Sequence, residues 1–292
     1  MDRISSGYRD WSGQLYPVGL TCWPIARTGV RLVLRRRLFW LLIAFSLLDF
    51  LFLFATIYIK AQINVHNPAV GKFVNEVLRS VTGSGETYRD FMFAQGTMTM
   101  LVLAFVGEML VGGDYDRGGL TFYLSRRLGR RHYVVGKLLA ISAIVALTTV
   151  VPALVLYAEY GFLTDSLTYF RENWRILLGI VGYGTLMAIS LSLLLFALAS
   201  WLNKTVPLVM SWACIFVLLP GLGEMLRKTY GDGRWRLLSF WGDIRLLGNW
   251  CFGSTTEREG RLVVWAVATV VAVWIVCAIA IVPRVRAVQV IR

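Results

Sequence analysis

Residues 176–201 read ILLGIVGYGTLMAISLSLLLFALASW, a stretch of 26 residues in which no side chain carries a charge. A helix needs about 20 mostly apolar residues to cross a hydrocarbon layer that is about 30 Å thick. Lipid offers no hydrogen-bond partner to backbone amides, so a single segment of this kind crosses the layer as a helix. The stretch therefore predicts a membrane-spanning helix.

The chain contains five further stretches of this kind. They are residues 38–59, 91–111, 138–160, 206–226 and 262–283. The six stretches together hold 135 of the 292 residues, which leaves no room for a large soluble domain. We therefore predict an all-α, polytopic membrane protein in which residues 1–292 form one transmembrane domain with six spans.

The composition excludes two other classes of protein. Hydrophobic residues make up 57% of the chain and charged residues only 16%, where soluble domains carry about 25% charged residues. This apolar excess excludes a disordered protein. The formal charge is +13, but a soluble nucleic-acid-binding protein would place its basic residues on a polar surface rather than between long apolar runs. We therefore expect no nucleic-acid partner.

The distribution of charge predicts the orientation. If both termini are cytoplasmic, the inner segments hold 17 Lys/Arg and four Asp/Glu, a net charge of +13. The outer segments then hold 13 Lys/Arg and nine Asp/Glu, a net charge of +4. Cytoplasmic loops of membrane proteins carry an excess of Lys and Arg. The chain is therefore expected in the cell (plasma or inner) membrane, with residues 1–37 and the C-terminus cytoplasmic.

Residues 23–37 have the pattern of an amphipathic helix. Arg27, Arg31 and Arg35 recur every four residues on one face. The other face is apolar and consists of Trp23, Ala26, Val30, Val33 and Leu34. Such a helix lies in the plane of the lipid headgroups, so we predict an N-terminal interfacial helix. The alternative is a plain basic flank before the first span.

Three further patterns concern the later spans. The Trp- and Leu-rich segment 234–252 predicts short interfacial or re-entrant helices before the sixth span. Gly184, Ala188 and Ser192 form a small-residue stripe, which is typical of a helix-packing face within one subunit or between two copies. Pro220 and Gly221 are expected to break or bend the fifth span.

No pattern of catalytic, metal-binding or nucleotide-binding residues is found. His66 and His132 lie in separate loops on opposite faces, and the four cysteines lack metal-ligand spacing. A Walker motif has four residues between its glycines and a Ser or Thr after the lysine. Here six residues separate Gly129 from Gly136, and Leu138 follows the lysine. The chain is therefore expected to have no catalytic residue, metal or cofactor of its own.

Two acidic residues within spans are candidates for an intramembrane polar site. Asp49 lies near the middle of the first span, where an ionisable group costs about 2.5–3.5 kcal/mol and should face protein or water. One interpretation is a site on an ion or proton pathway. The other is a hydrogen bond to Gln95, Thr97 or Thr99 of the second span. Glu108 is the weaker candidate because it lies near a span end.

The loop between the second and third spans is the most informative segment. Residues 113–137 read GDYDRGGLTFYLSRRLGRRHYVVGK. The segment is basic and contains a short helical stretch, from Leu120 to Leu124, between glycine-bearing turns. It is either an anchor that obeys the positive-inside rule or a docking surface for a cytoplasmic partner.

This loop resembles that of the permease subunits of type-2 ATP-binding-cassette (ABC) exporters. Their loop typically reads Glu/Asp-Arg-Gly-Thr-Leu, a few apolar residues, Ser-Arg-Pro-x-x-Arg, and then Gly-Lys at the start of the next span. The matching residues are Asp116, Arg117, Gly118, Leu120, Leu124, Ser125, Arg126, Arg130, Gly136 and Lys137. The loop departs from the pattern at Gly119, where threonine is usual, and at Arg127, where proline is usual.

The resemblance implies a subunit of an ATP-driven exporter that is not itself an enzyme. A second permease copy, or a homologous permease, would complete the membrane unit, and two separate cytoplasmic ABC ATPase subunits would bind and hydrolyse ATP. A short coupling helix in the loop would sit in a groove of the ATPase through Leu120, Phe122 and Leu124. Arg117, Arg126 and Arg130 would contact acidic rims or lipid headgroups.

Two other functions compete with this one. A secondary transporter could use Asp49 and Glu108 as ion-coupling groups, although such folds usually contain internal repeats and helices broken near the membrane midplane. A membrane scaffold could anchor a partner and transport nothing. Neither alternative predicts the pattern over residues 116–137.

Overall fold

The computed structural model describes residues 22–66, 83–116, 118–119, 129–163 and 166–285, and within these ranges it is helical and contains no strand. Among the described residues, six helical segments are long and apolar enough to cross a membrane, which agrees with the predicted number. They are span 1 (Arg37–Lys60), span 2 (Gly85–Asp116), span 3 (Arg130–Leu163), span 4 (Trp174–Trp201), span 5 (Thr205–Tyr230) and span 6 (Glu259–Arg284).

Several spans are built from more than one helical segment. Span 1 belongs to the helix Arg37–His66 and span 6 to the helix Glu257–Arg284. Span 2 consists of the helix Gly85–Gly107, the π-helix Glu108–Gly112 and the short helix Gly113–Asp116. Span 3 consists of the helices Arg130–Thr148 and Val150–Leu163. Span 5 consists of the helix Thr205–Ala213, the π-helix Cys214–Leu218 and the helix Leu219–Tyr230. The remaining helices are the N-terminal helix (Cys22–Leu34), a short helix (Ser166–Glu172), a 3₁₀ helix (Gly233–Leu238) and the return helix (Phe240–Cys251).

Spans 2 and 4 form the centre of the bundle. In the most apolar window of each span, 61% of the residues of span 2 and 67% of those of span 4 are buried. The corresponding figures are 11%, 17% and 22% for spans 1, 5 and 6. The exposed residues of these outer spans are mostly apolar, as expected for helices that face lipid.

The two ends of the bundle are distinguished by its connections. The basal end contains the last residue of span 2, Asp116, the first residue of span 3, Arg130, and the turn 202–204 between spans 4 and 5. The apical end contains the start of span 2, where Phe252 packs against both Gly85 and Gly179 of span 4. These names carry no assignment to a side of the membrane.

The return helix (Phe240–Cys251) begins inside the bundle and runs back to its apical end. The ring of Phe240 lies 6.3 Å from that of Phe216 in the middle of span 5, and Trp241 stacks on Phe93 of span 2 at 5.1 Å. At the other end of the helix, Gly248 is pressed against the ring of Tyr183. This geometry agrees with the re-entrant interpretation of residues 234–252.

Span 5 continues past Pro220 and Gly221, so of the expected break or bend the break does not occur. Pro220 occupies the first turn of the segment Leu219–Tyr230, and its missing N–H group falls where the regular α-helical hydrogen bonding is already interrupted. The irregularity lies just before it, in the π-helix Cys214–Leu218. The proline is therefore accommodated without ending the helix.

The small-residue stripe packs within the subunit. A Cβ atom on Gly184 would lie 2.2 Å from Cγ2 of Val150 in span 3. Ala188 and Ser192 are also buried. Glycine at position 184 thus lets spans 3 and 4 approach closely.

Candidate functional site: the basal loop between spans 2 and 3

The structure describes the two ends of the loop that is predicted to dock a partner, residues 113–137, which we call the basal loop. Of its predicted site residues, Asp116, Gly118, Arg130, Gly136 and Lys137 are described. Six others, and with them the predicted coupling helix, lie outside the described residues: Arg117, Leu120, Phe122, Leu124, Ser125 and Arg126. Asp116 and Arg130 are exposed, whereas Gly136 and Lys137 are buried.

Span 2 extends past the turn that joins spans 4 and 5. The Glu108 carboxylate accepts a hydrogen bond from the hydroxyl of Thr205, the first residue of span 5. One turn further along, a Cβ atom on Gly112 would lie 3.0 Å from the carbonyl oxygen of Asn203. Span 2 then continues to Asp116, so the loop that follows it starts beyond this turn at the basal end.

A buried ion pair joins the two ends of the loop. Lys137 Nζ lies 2.7 Å from Asp114 Oδ2 and donates a hydrogen bond to the carbonyl oxygen of Leu110 at 2.5 Å. The Tyr133 hydroxyl donates to the same Asp114 oxygen at 2.9 Å. Only 5% of Lys137 is exposed. We call Asp114, Tyr133 and Lys137 the basal bridge, because these side chains link the end of span 2 to the start of span 3.

Sequence reasoning missed Asp114 and Tyr133. A signal for the pair was present, since Lys137 immediately precedes the apolar run that begins at Leu138. A lysine at the start of a membrane span is expected to find a partner or to extend toward the interface. Asp114 and Asp116 are the only acids in the predicted inner loop 112–137, so the candidates were few.

The start of span 3 also packs against the N-terminal helix. A Cβ atom on Gly136 would lie 2.8 Å from Cβ of Ile25, and one on Gly29 would lie 2.9 Å from Cβ of Ala140. Residues 22–34 are helical, as predicted; their position in the headgroup plane stays a prediction. The loop is thus connected through span 3 to the N-terminal helix.

Gly118 has a backbone conformation that favours glycine. Its φ is +67°, a left-handed value that costs other residues about 1–2 kcal/mol. No described atom lies within 4 Å of the position of its Cβ. The constraint at Gly118 is therefore conformational rather than steric.

Gly118→Ala is expected to loosen the loop without disturbing the spans. The cost of the left-handed conformation should raise hydrogen–deuterium exchange in residues 113–119 about tenfold. Mass spectrometry of peptides from this region measures the change. Gly119→Ala is the matched control, because its φ is not left-handed and its nearest contact is 3.4 Å from Asp114 Cα. Equal exchange in the two variants would contradict this role for Gly118.

The intramembrane residue Asp49 belongs to a hydrogen-bonded cluster between spans 1 and 2. Gln95 Nε2 donates to the carbonyl oxygen of Ser46 at 2.8 Å and to Asp49 Oδ2 at 3.4 Å. Ser46 Oγ donates in turn to Gln95 Oε1. Of the three proposed partners, Gln95 is the one hydrogen-bonded to Asp49; Thr97 and Thr99 donate to carbonyl oxygens of their own helix.

Asp49 and Glu108 lie in separate polar clusters. Asp49 is bonded to Gln95, and Glu108 is bonded to Thr205. Gln95 and Glu108 are 13 residues apart in span 2, which corresponds to about 20 Å along a helix. The two acids therefore do not form a shared ion site, and no described group of His, Cys, Asp and Glu residues could hold a metal ion.

Asp49→Asn is expected to leave the fold and the pH dependence of activity unchanged. An asparagine oxygen can accept the Gln95 hydrogen bond, and the exchange removes an ionisable group from a position where it is unfavourable. The thermal unfolding midpoint and the ATPase activity of the complex across neutral pH measure the two effects. A folded variant with an altered pH profile would instead assign Asp49 a protonation role.

Comparison with protein families identifies a match over most of the chain. The family model described as "ABC-2 family transporter protein" matches residues 23–229. The match covers 207 of the 292 residues, from the N-terminal helix through spans 1 to 5 and including the basal loop. No curated protein matches the chain.

Proposed function

Because the chain belongs to the ABC-2 family of transporters, and is accordingly the membrane subunit of an ABC transporter, we propose that it works as an ATP-driven exporter. Two separate cytoplasmic ATPase subunits bind and hydrolyse ATP, and they dock on the basal loop. A second copy of this chain, or a homologous permease, completes the membrane unit. The export direction is supported by the resemblance of residues 116–137 to type-2 exporters.

The basal bridge is the observation that best supports this coupling role. It ties Asp114, at the end of span 2, to Tyr133 and Lys137, in the first turns of span 3. A force applied to the loop would therefore act on spans 2 and 3 together. Rigid movement of packed helices is a common form of switching between two states.

Span 2 is well placed to transmit such a movement. It is one of the two most buried spans, and Gly107 is pressed against Leu195 of span 4 and Leu208 of span 5. A displacement of the basal loop would therefore reach the centre of the bundle. The ATPases would need different contacts with the loop in their two nucleotide states, because a ligand shifts an equilibrium only through differential affinity.

The proposed orientation places the basal end in the cytoplasm. Arg130, Arg131 and Lys204 are at this end, and the Arg284 guanidinium lies 4.5 Å above the ring of Trp201. Lys and Arg are enriched on the cytoplasmic side of membrane proteins, whereas tryptophan marks either membrane–water interface. A secondary transporter gains no support, because Asp49 and Glu108 are in separate clusters.

Leu120→Asp and Leu124→Asp are expected to prevent docking of the ATPase. A charge in an apolar contact leaves an unpaired, desolvated carboxylate in the interface, so affinity should fall at least about 100-fold. Co-expression with a candidate ABC ATPase subunit, followed by affinity purification of the permease, measures the loss.

Tyr230→Asp is the control for this experiment. Tyr230 is 68% exposed and lies at the end of span 5, away from the basal loop, so its replacement should leave co-purification intact. If the ATPase still co-purifies with both leucine variants in wild-type amounts, the loop is not the docking site.

A further inference from the structure

A groove runs along the outside of the bundle between the N-terminal helix, span 3 and span 4. Its volume is about 750 Å³. We call it the N-terminal groove; its lining includes Arg27 and Arg31 of the N-terminal helix, Ala143 and Ala146 of span 3, and Gly184 and Ala188 of span 4. The surface is almost entirely apolar apart from the two arginines.

Small side chains on spans 3 and 4 make this surface concave. Alanine and glycine contribute no atom beyond Cβ, so the two helices leave space between them that the N-terminal helix encloses on one side. The part lined by span 3 extends from Leu139 to Val150, which is about 16 Å along a helix. That length is about half the thickness of a bilayer's hydrocarbon layer. The groove is therefore long enough to hold much of one acyl chain.

The groove lies in the basal half of the bundle. Leu139 is two residues from Lys137, which belongs to the basal bridge. At the other end, Val150 follows Thr148, whose hydroxyl is 2.7 Å from that of Thr99 in the middle of span 2. The groove thus extends from the basal boundary to the centre of the bundle.

Two arginines line the groove near its basal boundary. Arg27 and Arg31 are exposed, and neither is paired with an acidic residue in the described part of the chain. Arg27 lies between Ile25, which contacts Gly136, and Gly29, which contacts Ala140, so it is level with the start of span 3.

Arg31 lies one helical turn further along span 3, toward the centre of the bundle. Helical side chains slant toward the N-terminus, and arginine can extend its guanidinium to the interface while its methylene groups stay in apolar surroundings. The Arg31 guanidinium can therefore reach the same boundary as Arg27. Together the two residues present two positive charges above an apolar groove.

We infer that the N-terminal groove binds one anionic phospholipid. Its phosphate contacts Arg27 and Arg31, and an acyl chain lies along Ala143, Ala146 and Gly184. A second copy of this chain fits the groove less well, because a two-fold symmetric contact would place the same patches face to face. The four arginines of the two copies would then repel one another.

The choice of an anionic lipid rests on the orientation in the proposed function. With the basal end in the cytoplasm, the groove opens to the cytoplasmic leaflet, which is rich in anionic lipids. The lipid would pack the N-terminal helix against spans 3 and 4. Since Gly136 and Gly29 place that helix directly on span 3, the site adjoins the basal bridge.

Native mass spectrometry of the full chain in detergent tests this inference. Phosphatidylglycerol and phosphatidylcholine with identical acyl chains are the two probes, and inorganic phosphate is added as a competitor. Phosphatidylglycerol should bind about 30-fold more tightly, the effect of two arginine contacts with an anionic headgroup. Inorganic phosphate should not displace it, because phosphate lacks an acyl chain.

Three variants locate the site. Arg27→Gln combined with Arg31→Gln should remove the preference for phosphatidylglycerol. The control is Arg35→Gln combined with Arg36→Gln, which should keep the preference because these exposed arginines lie outside the groove lining. Ala143→Phe, at an exposed position of the groove, should weaken binding of both lipids by filling the space.

Several results would overturn the lipid site. Equal binding of the two lipids would do so, as would displacement of the bound lipid by phosphate alone. An equal loss of the lipid preference in the Arg35/Arg36 variant would also contradict it. So would a change from dimer to monomer in the Arg27/Arg31 variant without any change in lipid binding. The measurement uses no ATPase. A negative result therefore leaves the docking proposal standing, and failure of docking leaves the binding data intact.

Discussion

Lys137→Met is expected to destabilise the folded protein by about 3 kcal/mol and to uncouple the ATPase. The substitution keeps the length of the side chain but leaves the Asp114 carboxylate without its cation, and breaking a buried ion pair from one side typically costs about 3–5 kcal/mol. The lower end applies because the Asp114 side chain is 19% exposed. Unfolding in mixed detergent micelles and the ATPase rate of the complex measure the two effects.

The double variant Asp114→Asn, Lys137→Met separates the ion pair from general damage. With both charges removed, no unpaired charge remains, so the double variant should be more stable than Lys137→Met alone. Together with wild type and the single variants Asp114→Asn and Lys137→Met, it completes a double-mutant cycle that gives the coupling energy of the pair. If Lys137→Met unfolds at the same fraction of denaturing detergent as the wild-type protein, the basal bridge does not hold spans 2 and 3 together.

Gly184→Ala is expected to destabilise the bundle by about 2–3 kcal/mol. The added Cβ would lie 2.2 Å from Cγ2 of Val150, and overpacking of this kind typically costs about 1–3 kcal/mol. Unfolding in mixed micelles measures the loss. Adding Val150→Ala removes the clashing atom and should restore part of the stability.

Gly182→Ala is a matched control two residues away in the same span. The nearest described atom to its Cβ would be Cys251 Sγ at 3.9 Å, an ordinary contact. Alanine is also the better helix former, by up to about 1 kcal/mol, so this variant should be as stable as wild type or more stable. Equal destabilisation by both alanines would show that the close contact with Val150 does not determine the effect.

The six spans were predictable because their signal is local. Each is long and apolar, and lipid leaves the helix as the available structure for such a segment. Their ends were less predictable. Span 3 was expected at 138–160 and runs over Arg130–Leu163, because a helix ends where its backbone hydrogen bonds end rather than where hydrophobicity does. Arg130 and Tyr133 are polar or aromatic, yet they continue the same helix.

The candidate site was predictable only in part. The motif over 116–137 identified the loop, but the basal bridge pairs residues 23 positions apart, and that pairing depends on how spans 2 and 3 pack. The position of Pro220 shows the same limit, since its effect depends on the π-helix that precedes it. For Asp49, the partner Gln95 was among the alternatives, because it is one of the few polar residues in the predicted second span.

Site-specific photo-crosslinking tests the docking proposal most directly. A photoreactive amino acid is placed at Phe122, in the loop, and separately at Tyr230, at the other end of span 5 from the basal loop, in the complex of permease and ATPase. We predict a crosslink to the ATPase from position 122 whose yield changes when ATP is added, and none from position 230. A crosslink from position 230 but not from 122 would contradict both the docking surface and the orientation.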